Sequence, residues 1–175
     1  MIRSGSRTVV NWHRPGYGRR VNALATLVAT FFYTGFFPFA PATFATAVFL
    51  LFYWLVPGGE WLVHWAALVA TALVSIPTAT RVERTRGKDP SCVVIDEVVG
   101  IQIVLVGAEP SLAGVVAAFF LFRLFDIWKP FPIHRLQSWP GGWGIVADDA
   151  LAGVYSRVVL AAVSFATPLF GRFLP

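Results

Sequence analysis

The chain has 175 residues, of which 57% are apolar and 13% charged, where an ordinary soluble domain runs at about half and a quarter. That balance excludes a disordered chain and argues against a water-soluble domain, and the length allows one domain. Fourteen Lys and Arg against nine Asp and Glu give a formal net charge of +5, and the one cysteine, Cys92, excludes a disulfide scaffold or a cysteine-based zinc cluster.

Residues 1–20 form a basic arm carrying Arg3, Arg7, Arg14, Arg19 and Arg20, with no apolar core of a secretory signal. Such an arm reads as a solvated tail that also holds anionic lipid head groups, at about 1 kcal/mol per charge. Val21–Tyr33 is apolar but too short to span, and predicts an interfacial or re-entrant helix. Thr34–Thr43 follows as an irregular loop with Gly35, Pro38 and Pro41, and Thr43 is placed to N-cap the next helix. The free amides of such a helix start also favour an anion.

A bilayer-crossing helix needs about 17–25 mostly apolar residues. Phe44–Val56 with the residues before it, Trp61–Thr80, Ser111–Ile127 and Ala147–Phe170 meet that need, and Val93–Val106 is a shorter fifth. The fold class is therefore all-α: a polytopic membrane bundle of about five spanning helices plus the short N-terminal one. Residues 21–175 are expected to form a single membrane-embedded domain. Basic residues fall in the arm, in the loop with Arg81, Arg84, Arg86 and Lys88, and in the stretch with Arg123, Lys129 and Arg135. The turns Pro57–Glu60 and Gly107–Pro110 carry none, so the first and second spans, and the third and fourth, are expected to form antiparallel hairpins. Positive charge collects inside, which puts the N-terminus inside and the C-terminus outside.

Glu60 and Glu109 lie in the outer turns; Glu83, Asp89, Asp96, Glu97, Asp126, Asp148 and Asp149 all fall on or beside the inner side. Asp96, Glu97, Asp126, Asp148 and Asp149 sit inside otherwise apolar segments. A carboxylate there needs a partner, a cavity or an ion. Two adjacent acidic pairs repel unless something positive lies between them, and carboxylates without His or Cys neighbours suit Mg²⁺, Mn²⁺ or Ca²⁺ rather than zinc. Acids at helix N-termini, favoured by the macrodipole, are the plainer account of either pair alone; three acidic positions on three helices at one membrane face weigh against it. Gly100, Ala152 and Gly153 lie four residues after Asp96, Asp148 and Asp149, so the acidic faces are also able to pack closely.

Arg123, Asp126 and Lys129 form an i, i+3, i+6 stripe that Pro130 and Pro132 terminate. The stripe offers an acid for a metal and two cations for phosphate, or else a local salt-bridged surface. Residues 139–144 (WPGGWG) predict a mobile loop or a close backbone approach to ligand. His64 reads as a packed or interfacial residue, and His134 as a bystander.

The segments Thr34-Gly35 through Pro41-Ala42-Thr43, Asp89-Pro90, Val94 to Gly100, Phe122 to Pro132, and Gly141 to Asp149 with Ala152-Gly153 together resemble the phosphatidylglycerophosphatase A family. The likeness covers roughly residues 30–160; its most specific pieces are Arg-x-Phe-Asp-x-x-Lys-Pro and Asp-Asp-x-x-Ala-Gly. Ala42 stands where the family's turn has Gly. The resemblance implies a Mg²⁺-dependent phosphatase that converts phosphatidylglycerophosphate to phosphatidylglycerol in a bacterial cytoplasmic membrane, with its active site facing the cytoplasm. It implies Asp96, Glu97, Asp126, Asp148 and Asp149 as catalytic and metal-binding, Asp89 as a further ligand or its support, and Arg123, Lys129, Thr34, Gly35 and Thr43 at the substrate. Expected partners are phosphatidylglycerophosphate, other anionic phospholipids and the membrane, not nucleic acid; a homo-oligomer is left open. Two rivals remain: a transporter or channel using the same acids as an ion pathway, and a non-catalytic subunit that binds anionic lipid.

Overall fold

The computed structural model describes residues 23–55 and 61–173. The basic arm and the Pro57–Glu60 turn lie outside the described residues. Seven helices carry the fold: α1 (Ala23–Ala29), α2 (Pro41–Leu55), α3 (Trp61–Arg86), α4 (Ile95–Leu105), α5 (Leu112–Trp128), α6 (Ile133–Leu136) and α7 (Gly142–Ala166). The all-α expectation needs one small correction. Two two-residue strands, β1 (Glu109–Pro110) and β2 (Gly171–Arg172), pair antiparallel with Glu109 opposite Arg172.

The predicted N-terminal helix stops at Ala29 rather than Tyr33, because Phe31, Phe32 and Tyr33 all take positive φ. Thr30 anchors this left-handed turn: its hydroxyl accepts from the Tyr33 amide at 3.1 Å, and its carbonyl accepts from the Thr34 hydroxyl and the Gly35 amide. The Thr43 cap is likewise corrected. Helix α2 begins at Pro41, whose missing N–H costs nothing at a first position, and Thr43 is its third residue.

Helix α3 runs six residues past the predicted Thr80 and ends with Arg84 and Arg86, where cations suit the carboxyl end of the dipole. Helix α5 has Ser111 as its N-cap, the hydroxyl accepting from the Gly114 amide at 3.1 Å. It ends at Trp128, two residues before Pro130, with Lys129 as its C-cap in a left-handed conformation. Helix α7 starts at Gly142 rather than Ala147, so half of the predicted Gly-rich loop is helical. It ends at Ala166 rather than running to Phe170. The chain then turns back: the Ser111 amide donates to the Phe170 carbonyl, and Phe173 is fully buried.

Among the described residues two helices, α3 and α7, are long and apolar enough to cross a bilayer; α2 has 15 residues, α5 has 17 and α4 has 11. At 1.5 Å per residue α4 rises about 16 Å. It is the centre of the bundle: every residue from Ile95 to Ile101 is buried. Its closest neighbour is α7. A Cβ on Gly153 would strike the Gly100 carbonyl, and one on Gly100 would strike the Phe122 ring and sit 2.9 Å from the Asp149 carbonyl. The glycines therefore set the spacing that brings α4, α5 and α7 together, as their i, i+4 relation to the acids predicts.

The loops sort into two ends. At one, Cys92–Val94 lies against Gly35 and Ala29, Gln137 reaches Asp89, and the start of α7 rests on Thr80. At the other are Gly107, which faces Trp65, and the paired strands. The loop cations Arg86, Lys88, Lys129 and Arg135 belong to the first end, and Arg172 to the second.

Candidate functional site

The first end holds the charged centre. Asp96 and Glu97 sit in the opening turn of α4, Asp126 near the close of α5, and Asp148 and Asp149 in the second turn of α7. All five are buried. Asp148 and Asp149 lie beyond the first turn of α7, so the helix-terminus account of that pair fails on position. For Asp96 and Glu97 it fits position, but it does not explain their burial.

Glu97, Asp126 and Asp149 each turn one carboxylate oxygen into a common space, all within 4.8 Å of one another. Arg123 bridges two of them, with Nη1 at 2.5 Å from Glu97 Oε2 and 3.0 Å from Asp126 Oδ2. Lys129 Nζ lies 2.5 Å from Asp148 Oδ2 and 4.0 Å from Asp126 Oδ1. Burial alone would work against the Lys129 charge. Its hydrogen bond to Asp148 and the charges of Asp148, Asp149 and Asp126 outweigh that and hold the ammonium above the ordinary lysine value. It therefore stays cationic at neutral pH.

Two cations for five carboxylates leave the centre short of positive charge. Asp96 Oδ1, Asp148 Oδ1 and Asp149 Oδ2 are buried oxygens with no hydrogen-bond partner, a costly state without a further donor or ion. The donor set is all oxygen, which suits a hard divalent cation. The residues present fit such an ion.

Asp89 lies outside the triad. It is exposed, takes a positive φ, and accepts from Gln137 Nε2 at 3.1 Å. Thr34 turns its hydroxyl inward to the Thr30 and Phe31 carbonyls. Gly35 is buried against Cys92, where a Cβ would collide with the Cys92 carbonyl. Gly35 thus packs against the loop that leads into α4, and Thr43 stands half-buried in α2. His134 is exposed beside Phe131, and His64 packs on Tyr53.

Several supporting residues escape sequence reading. Thr80 Oγ1 accepts from the Gly142 amide at 2.8 Å and so caps α7 from α3. Tyr155 donates to the Phe131 carbonyl at 3.1 Å, tying the turn after Lys129 to α7. Arg157 donates to the Val104 carbonyl at 2.8 Å and covers the far end of α4. Their partners lie 62, 24 and 53 residues away, and no local pattern announces such pairs.

A helical bundle with two helices long and apolar enough to cross a bilayer, and at one end a buried acidic group able to hold a metal beside two fixed cations, fits the class of membrane-associated enzymes acting on phosphate. The sequence pattern of phosphatidylglycerophosphatase A matches residues 27–164. The chain belongs to that family, and is a phosphatase of phospholipid metabolism. It is 40% identical over 151 residues to a Bacteroides thetaiotaomicron protein with a provisional phosphatidylinositol-3-phosphatase name, covering 82% of this chain and 95% of that one. It is 29% identical over 146 residues to phosphatidylglycerophosphatase A of Escherichia coli, covering 82% and 85%. A match to the Haemophilus influenzae phosphatidylglycerophosphatase A is 46% identical over 80 residues, covering 44% and 48%. No solved structure matches the chain.

Proposed function

We propose that the protein hydrolyses phosphatidylglycerophosphate to phosphatidylglycerol and phosphate, using Mg²⁺, at the cytoplasmic face of a bacterial inner membrane. The observation that carries this reading is the convergence of buried carboxylates from α4, α5 and α7 beside Arg123 and Lys129, with oxygens of Asp96, Asp148 and Asp149 left without a partner. Asp96, Glu97, Asp126, Asp148 and Asp149 would hold the metal, with Asp89 at the rim. Bound there, the ion would offset phosphate charge and acidify a water. Arg123 and Lys129 would bind the phosphate oxygens and stabilise the charge that spreads over them in the transition state. One carboxylate would take the proton of the attacking water. Thr34, Gly35 and Thr43 would shape the rim where the head group enters.

In this reading the chain crosses five times, at α2, α3, α4, α5 and α7, with α4 the shortest, about half a hydrocarbon core long and mostly enclosed by the others. The basic end then faces the cytoplasm. The acids gather at one end of the bundle, as an interfacial enzyme requires, which disfavours the ion-pathway alternative. The Bacteroides relative's name raises inositol phospholipid as a rival head group, so the assay includes it.

The test is phosphate release from phosphatidylglycerophosphate, phosphatidylinositol-3-phosphate and phosphatidic acid, with Mg²⁺ and with EDTA. Turnover of the first, at least tenfold faster than the others and lost in EDTA, is expected. Preference for the inositol lipid overturns the substrate, and full activity in EDTA overturns the metal.

A further inference from the structure

Helices α2 and α3 stand apart along much of their length. Tyr53 and His64 meet at 5.6 Å between ring centres; a cavity of about 280 Å³ opens between the two helices, and one of about 320 Å³ between α3, α4 and the α1 end with its turn (Val28, Phe31, Phe32). Both are lined by Phe49 of α2 and Gln102 of α4, so they adjoin and form one groove. Leu105 and Val106 line its far end, and Ile95 and Val98 its near end. Gln102 donates to Thr71 Oγ1 at 3.4 Å and bridges the floor to α3.

Ile95 and Val98 flank Asp96 and Glu97 on one turn of α4. That turn delivers two carboxylates to the charged centre and two apolar side chains to the groove. From Ile95 to Val106 the helix rises about 16 Å, close to half of the roughly 30 Å hydrocarbon core. The groove is thus apolar and one leaflet deep, and its near end lies on the α4 turn whose other face carries Asp96 and Glu97.

We propose that this groove seats one fatty-acyl chain of the phospholipid substrate, and so positions the phosphate at the carboxylate cluster. The inference rests on the phospholipid-phosphatase reading, and adds to it a chain-binding subsite along α4, walled by α3 on one side and by α2 and the end of α1 on the other. Hydrophobic contact along the chain supplies affinity that a small phosphate ester lacks. The chain's path also fixes the depth at which the ester bond stops. The small, exposed wall residues Ala67 and Ala70 leave the groove open.

The experiment uses the full chain in detergent micelles with phosphatidic acid carrying a diazirine midway along one acyl chain. Photolysis is expected to mark Phe49, Tyr53 and neighbouring α3 residues. Ala67→Trp and Ala70→Trp, each at an exposed site, should lower that yield at least fivefold. The same variants should raise the KM for long-chain substrate at least fivefold, and leave kcat/KM for a dihexanoyl analogue within twofold. Marks on the lipid-facing side of α5, or marks unchanged by both variants, overturn the groove assignment. Correct marks without phosphate release from any lipid leave the subsite standing and remove the phosphatase reading. Phosphate release with misplaced marks does the reverse.

Discussion

Asp149 contributes to the triad and also keeps one oxygen without a partner. Asp149→Asn preserves its volume and removes its charge. Phosphate release should fall by about 100-fold or more, with unchanged extraction and helical circular dichroism. Near-normal turnover would remove the residue from the centre. Arg123 tests the electrostatics from the other side, because its guanidinium serves Glu97 and Asp126 together. Removing one partner of a buried ion pair costs about 3–5 kcal/mol, so Arg123→Ala should markedly lower the thermal midpoint in metal-free detergent. Added Mg²⁺ should restore part of that loss, since a new cation relieves the same two carboxylates. No recovery with Mg²⁺ would show that the ion does not reach them. The five buried acids were legible as single residues, because a charge in an apolar run always demands an explanation. Which three would share one space was not, since that depends on the rotation of three helices about their axes.

Between elements, the decisive contact is backbone against backbone. Gly153 faces the Gly100 carbonyl with no room for a methyl group. Overfilled packing costs about 1–3 kcal/mol. Gly153→Val should therefore separate α4 from α7, lower the thermal midpoint and reduce activity together; a fully active, equally stable variant would refute the close approach. Thr80→Val keeps the shape of the side chain and removes the cap on α7. A lost cap costs about 1 kcal/mol, and hydrogen exchange should quicken at Gly142 to Gly144 before anywhere else in α7; exchange unchanged there would show that Thr80 does not hold this end. The spacing of Gly100, Ala152 and Gly153 after the acids was readable as a packing face. The start of α7 was not. Gly142 and Gly144 looked like loop residues, yet Gly142 lies against the Ile76 carbonyl and Gly144 against that of Trp139. They are small to admit a neighbour, and composition alone does not separate that need from flexibility. The left-handed turn at Phe31–Tyr33 was hidden for a related reason: three aromatic residues carry no local signal for positive φ.

The whole molecule has a charged end and a neutral end, and its orientation can be measured. The native Cys92 is buried, so Cys92→Ser gives a silent background. In intact cells, Glu109→Cys should react with a membrane-impermeant maleimide and Lys88→Cys should not; the opposite pattern would invert the orientation. The two-ended arrangement followed from where Lys and Arg fall along the chain. The return of the C-terminus did not, because a strand of two residues leaves no periodic trace.

The bundle is uneven in height. Helices α3 and α7 rise about 39 and 37 Å, whereas α2 and α5 rise about 22 and 25 Å. The shorter pair still presents Leu51, Phe52, Phe120 and Leu124 outward. In the proposed five-crossing arrangement, a hydrocarbon core of about 30 Å would overhang that flank, and lipid beside a short helix would have to compress. The protein would then carry its own dimple in the surrounding bilayer, and host membranes of longer fatty acids should slow it by making that dimple harder to form.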